Sequence, residues 1–186
     1  MLDKYHHGNL KQDLIEKGLA IINEEGEKAL SFRRVASACG VSHTAAYAHF
    51  SDKDDMIKAI KETVAYKFAE ELKKAVDESE DQSPEGRIVA MGRRYVTFFM
   101  QRPDYFKFLF GNQLINVHFD VDKDYADDFP AFRLLKSIYL EMCENKGDSR
   151  ELVQIWSSVH GLASIACMDN VVYDGAWDEL ILELVK

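Results

Sequence analysis

Ser42, His43, Thr44, Tyr47, His49 and Lys53 lie within twelve residues of one another, and each carries a hydrogen-bonding group near its tip. Hydroxyl and imidazole groups of this size can meet base edges in a major groove about 12 Å wide. An ammonium group suits phosphate. Position assigns His43 and Thr44 to base edges, and Ser42, Tyr47 and Lys53 to phosphates, where a contact orients a protein without reading sequence. His49 adds a titratable positive charge beside them. The chemistry is recognition rather than turnover. No nucleophile stands with a base, no glycine loop is shaped to cradle a phosphate, and the His and Cys residues never take HExxH or CxxC spacing. The sequence is therefore read as a non-enzyme with no catalytic residue, no metal and no cofactor.

The elements that must hold these side chains follow from the stretch Phe32 to Phe50. Val35, Cys39, Val41 and Ala46 recur as the inward-facing set of two short helices packed across one another, with Ala36 where the helices approach most closely. Gly40 stands where the first helix must end in a left-handed residue. Ser42 follows as the cap of a second helix, predicted over 43–50, with Ser42, His43, Thr44, Tyr47 and Ala48 facing outward. The helix-turn-helix thus spans about residues 31–50. Ser51-Asp52-Lys53-Asp54 has the serine and acid three apart that make a capping box, so another helix starts directly afterwards. Lys53 then sits in its first turn, unfavourable for the helix dipole but placed to meet phosphate.

Here the chain resembles a known family. AYAHFSDKDDMI looks like the YxHFxxKxxL signature that closes the N-terminal domain of TetR-type transcriptional regulators. Upstream, YHHGNLKQDLIEKGLAIINEEG resembles that family's first helix, with LSFRRVA in place of its more usual threonine-rich entry. Downstream, RPDYFKFLFG and WSSVHGLA resemble ligand-domain motifs of the branch named for Trp-His-Gly, here Trp156, His160 and Gly161. Ala46 departs from the pattern, which usually has a larger aliphatic residue there. The resemblance implies a homodimeric regulator, more often a repressor, that binds an inverted-repeat operator in double-stranded DNA and is released by a small-molecule effector.

Composition is compatible with this reading. A net charge of −9 looks wrong for a DNA binder until it is divided along the chain. Residues 1–53 hold seven Lys or Arg against seven Asp or Glu, and residues 54–186 hold sixteen against twenty-five. An acidic body behind a neutral, histidine-rich head favours presenting one end to DNA. No apolar run approaches the roughly 18 residues that span a bilayer, and MLDKYHHGNL lacks the apolar region of a signal peptide, so the expectation is a cytoplasmic protein without membrane contact. Cys39, Cys143 and Cys167 are far apart and lie among apolar helical residues, which points to reduced thiols.

Helical periodicity extends through most of the chain. The first helix is predicted over 9–25, with Gly26 as its stop; the preceding His6 and His7 point in opposite directions and suit a phosphate-side arm better than a metal pair. A long helix follows over 53–78, the lever by which the two domains are expected to communicate. Ser83-Pro84-Glu85 opens another over 84–101, and Asp104 is expected to cap the next. Asp120, Asp122 and Asp124 alternate as in a calcium loop, but the loop's glycine and terminal glutamate are missing. Two more helices are predicted over 129–144 and 151–168, and a last one over 177–185. The expected architecture is all-α: a three-helix helix-turn-helix DNA-binding domain over 8–68 joined to a larger helical ligand-binding and dimerisation domain over 69–186. Tyr95, Phe99, Phe106, Phe110, Trp156 and His160 are candidates for a ligand pocket, and as core residues they would look the same. Ser157, Gly161, Ser164, Trp177, Leu180 and Leu184 are candidates for the dimer interface that the resemblance implies. The rival reading is a helical protein-interaction module with a degenerate reader.

Overall fold

The computed structural model of the protein describes residues 10–111, 115–126 and 129–185. His6 and His7 lie outside the described residues. The architecture is all-α, with no β-strand among the described residues. The chain divides into two compact units, one ending at Val64 and the other beginning at Ala65.

The first unit contains α1 (Leu10–Glu25), a single 3₁₀ turn (Glu27–Ala29), α2 (Phe32–Ala38), α3 (His43–Tyr47) and the start of α4 (Lys53–Asp77). Its core is small and closed: Leu14, Ile22, Val35, Ala46, Met56 and Ile60 are all fully buried. The link from α2 to α3 is built by local chemistry. Gly40 takes φ +67°, its N–H donates to the Ser37 carbonyl at 3.0 Å, and the Val41 N–H donates to the Ala36 carbonyl at 3.0 Å. This paired closure satisfies carbonyls that the ending helix leaves free. Ser31 and Ser42 then cap α2 and α3, their hydroxyls accepting from the N–H groups of Arg34 and Ala45.

Three expectations shift here. Val41 is only half-buried, because its backbone rather than its side chain closes the turn. The second helix ends at Tyr47, not Phe50, and residues 48–50 form a looser turn. The capping box moves one residue along. Asp52 accepts from the Asp55 N–H at 2.8 Å, and the Asp55 carboxylate reaches back to the Ser51 N–H at 3.0 Å. Asp54 is simply an acid in the first turn.

The second unit takes the remainder of α4 and five further helices: α5 (Pro84–Gln101), α6 (Pro103–Phe110), α7 (Pro130–Met142), α8 (Ser149–Ala166) and α9 (Trp177–Leu184). Helix α5 is the axis of this unit. It packs against α6, α7, α8 and α9, and Ser83 caps it with a hydroxyl that accepts from the Gly86 N–H. Helix α6 begins at Pro103, whose missing N–H and fixed φ suit the first helical position, so Asp104 lies in the first turn rather than capping it. Helix α7 stops earlier than its apolar pattern suggests, because Glu144 turns left-handed at φ 50° while the Asn145 N–H closes onto the Leu140 carbonyl. Asp148 caps α8 through the Arg150 N–H. The aspartate-rich loop carries its own cation: the buried Lys136 ammonium donates to the backbone carbonyls of Asp120 and Lys123, while Asp120 pairs with Lys123 at 2.7 Å.

Candidate nucleic-acid interface and effector cavity

Each reader residue owes its position to a feature of the first unit. Ala46 is buried on the inner face of α3, which turns His43, Thr44 and Tyr47 outward. Ser42, His43, Thr44, Tyr47, His49 and Lys53 are all exposed. Ser42 has a structural duty as well, since its oxygen already caps α3. Tyr47 is about half exposed, yet its ring is not free: it stacks on Phe32 with centroids 4.4 Å apart and planes 8° from parallel. His43 stands edge-on to it at 4.8 Å. The stack fixes the ring and leaves the hydroxyl to act beyond it. Lys53 stands at the first helical position of α4.

Sequence reasoning passed over Arg33. It is exposed on α2, and with Ser31, Arg34 and Ser37 it borders a shallow depression. Arg34 is tied to Glu25, and that ion pair holds the Glu25 carboxyl below its ordinary value. Among the described residues, Arg33 has no such partner. The signal was present: a cation in a helix's first turn works against the dipole, the same argument that singled out Lys53.

In the second unit the six pocket candidates separate into two groups. Phe99, Phe106, Phe110 and His160 pack against one another, with ring centroids 4.6–5.7 Å apart. At the edge of this cluster, the Tyr95 hydroxyl meets His160 Nδ1 at 2.8 Å. Burial lowers the His160 pKa and raises that of Tyr95, so a neutral imidazole faces a neutral phenol. The Cys167 thiol donates to the Phe99 carbonyl and is pushed up to about 11 by burial, which leaves it a thiol at neutral pH.

Tyr95 and Trp156 also line a cavity of about 880 Å³ walled by α5, α7, α8 and the end of α9. Its floor is apolar, formed by Met91, Gly92, Leu135 and Trp156, with Ile88 and Val159 on the walls. Gly92 makes the closure possible, since a Cβ there would stand 2.7 Å from Val185 Cγ1 and 3.1 Å from Val159 Cγ1. A volume of this order falls within the range of small-molecule sites. Sequence reasoning found the aromatic residues but not the groove beside them.

The interface candidates are dispersed differently. Ser157 and Leu184 are exposed, and Gly161, Ser164, Trp177 and Leu180 are half-buried. A Cβ at Gly161 would meet nothing within 4 Å. Leu184 also lines the cavity.

Residues 14–60 match the family model described as bacterial regulatory proteins, tetR family. The N-terminal unit carries a TetR-family domain. The match covers the helix-turn-helix and the start of α4, the stretch that presents the reader residues. Solved structures extend the likeness of fold to the second unit. A protein of unknown function from Rhodococcus sp. RHA1 superposes with a TM-score of 0.77 at 24% identity, covering 98% of this chain and 94% of that one. A tetR-family transcriptional regulator from Streptomyces coelicolor gives 0.66 at 20% identity, over 94% and 76% of the two chains. The fatty acid degradation regulator FadR from Bacillus halodurans gives 0.64 at 15%, over 93% and 94%. No curated protein matches in sequence. The chain therefore has the fold of a TetR-family transcriptional regulator, a helix-turn-helix domain followed by a helical domain. No helix among the described residues is long and apolar enough to cross a membrane.

Proposed function

We propose that the chain is a sequence-specific repressor that binds an inverted-repeat operator as a homodimer and is released by a small molecule held in the second unit. The observation that carries this reading is the exposed polar face of α3. A helix of five residues has no stability of its own, yet this one is capped, pinned by Ala46 and used to display His43, Thr44 and Tyr47. His43 and Thr44 take base edges, Ser42, Tyr47 and Lys53 take phosphates, and Arg33 adds charge alongside the His49 imidazole. One such face touches too few bases for specificity. Two faces about 34–36 Å apart address successive major grooves.

An exposed stripe on α8 supports the dimer. Val153, Ser157 and Ile165 are exposed beside Gly161 and Ser164, Met168 is exposed just past the end of the helix, and on α9 Leu182 and Leu184 are exposed as well. Small residues between apolar ones allow a second pair of helices to approach closely. Trp177 and Leu180 flank the same surface in this reading, and the DNA-binding and ligand-binding domains correspond to about residues 8–68 and 69–186. Trp156, His160 and Gly161 align with the Trp-His-Gly branch by resemblance. Helix α4 contributes residues to both units and is the covalent route for coupling. A differential of about 1–3 kcal/mol between DNA-competent and DNA-incompetent states would suffice for the release.

Selection from a random duplex pool at stated salt tests the reading, because affinity for DNA depends steeply on ionic strength. An enriched inverted repeat is expected. On that operator, Lys53→Ala should lower the slope of log affinity against log salt by about 0.9 for each protomer bound. Failure to enrich any sequence, or an unchanged slope, refutes the assignment.

A further inference from the structure

We infer that the cavity of the second unit selects a lipophilic cation, an ammonium group carried on an apolar body. The inference rests on the reading of that cavity as the effector site and adds the chemical class of the occupant. It comes from how charge is distributed around the groove. Helices α5 and α8 run parallel along it: Gly92 lies against Val159, Tyr95 against His160, and the Phe99 carbonyl against the Cys167 thiol. Both helices therefore begin at the same end, and that end carries Glu85 and Glu151, both exposed and both lining the cavity. None of the lining residues is Lys, Arg or His. The first turn of a helix favours an acid for its own stability, which explains either carboxylate singly. It does not explain why an apolar trough opens between them with no cation in its wall.

Glu151 is also held in place. The Tyr139 hydroxyl accepts from the Asp148 N–H at 2.8 Å and donates to Glu151 Oε2 at 2.7 Å. One carboxylate oxygen is thus oriented by a buried phenol that itself lines the cavity. Away from this end the walls turn apolar, through Ile88, Ile155 and Val159 to Leu162 and Val185, with Gln154 and Ser158 as neutral polar residues on the rim. From Glu151 to Leu162 the helix advances about 16 Å. The trough has one anionic end and a hydrocarbon length, so the complementary molecule has one cationic end and a hydrocarbon length.

The groove borders the proposed dimer surface, and Leu184 belongs to both. At 3.6 residues per turn, α8 presents Leu152 and Ala163 to the core, Glu151, Ile155, Val159 and Leu162 to the cavity with Trp156 between the two, and Val153 and Ser157 to solvent, while Gln154 and Ser158 line the cavity rim on the side of Ile165.

Titration calorimetry on the full chain tests this with three probes that share one alkyl chain: decyltrimethylammonium, decanoate and decanol, all below their aggregation limits. The cation is expected to saturate one site per chain and to bind at least tenfold more tightly than decanoate. Glu85→Gln combined with Glu151→Gln should remove that preference and leave decanol unchanged. Ser158→Lys, on the exposed rim, should reduce the preference without touching either glutamate. Decanoate binding as tightly as the cation, a double variant that keeps the preference, or no binding of any probe overturns the inference. The operator duplex supplies a separate readout. If the cation binds with the expected glutamate dependence while operator affinity stays constant, the cation inference stands and ligand-induced release is what fails.

Discussion

Tyr47 separates a structural role from a DNA-contacting one within a single side chain. Its ring lies 4.4 Å from the Phe32 ring and nearly parallel to it, with His43 edge-on, while about half of the residue remains exposed. Tyr47→Ala deletes the ring. Burying half of a side chain of roughly 200 Å² at about 25 cal/mol per Å² is worth about 2.5 kcal/mol, and the stacking geometry adds about 0.5–1.5 kcal/mol. The site is open on one side and can partly re-close, so a loss of about 2–3 kcal/mol in the stability of the first unit is expected. Tyr47→Phe keeps the stack and should cost no more than a few tenths of a kcal/mol. On DNA the two variants should converge. Each removes a hydroxyl–phosphate hydrogen bond worth about 1 kcal/mol. With two such contacts per dimer the affinity should fall roughly thirtyfold for Tyr47→Phe. A hydroxyl contact replaces no counterion, so the salt slope should not change, unlike that of Lys53→Ala. Urea denaturation and fluorescence anisotropy on the selected operator at several salt concentrations give both quantities. If Tyr47→Phe binds operator as the parent does while remaining folded, the hydroxyl makes no phosphate contact and the ring alone matters.

Two further outcomes follow from backbone and burial. Gly40→Ala forces a side chain into φ +67°, at a cost of about 1–2 kcal/mol that thermal denaturation should register; Gly40→Asn should recover part of it, because asparagine tolerates the left-handed region. His160 has a folded-state pKa lowered from 6.5 by burial, so the unfolded chain takes up its proton first as the pH falls. Its contribution is fully present above the unfolded value and is lost as the pH falls towards the folded one, and His160→Gln should flatten the fall in stability that begins near pH 6.5. A parent protein whose denaturation midpoint does not move below that pH would remove the basis for a neutral buried imidazole.

The parts of the molecule that were legible in the sequence are those settled within a turn or two of chain. Gly40 and Ser42 define the link between α2 and α3 through bonds to residues no more than five away, and Ser83 and Pro84 open α5 in the same local manner. Misplacements arose where a second local solution competed. Asp52 and Asp55 formed the cap that Ser51 and Asp54 could equally have formed, and Glu144 accepted a left-handed conformation that the pattern would assign to Gly147. The cavity was beyond such reasoning for a different cause. Its walls come from four helices, and neither Glu85 nor Glu151 differs in its own neighbourhood from any acid that steadies a helix start. Periodicity identifies the faces of α5 and α8 that turn inward, but not whether the space between them is filled. Phe99, Phe106, Phe110 and His160 fill theirs with one another, whereas the groove over Met91, Leu135 and Trp156 stays open. An aromatic run therefore marks where a helical domain is packed, and the open volume lies beside it, where a residue without a side chain lets Val159 and Val185 close in on α5 at the edge of a floor they do not cover.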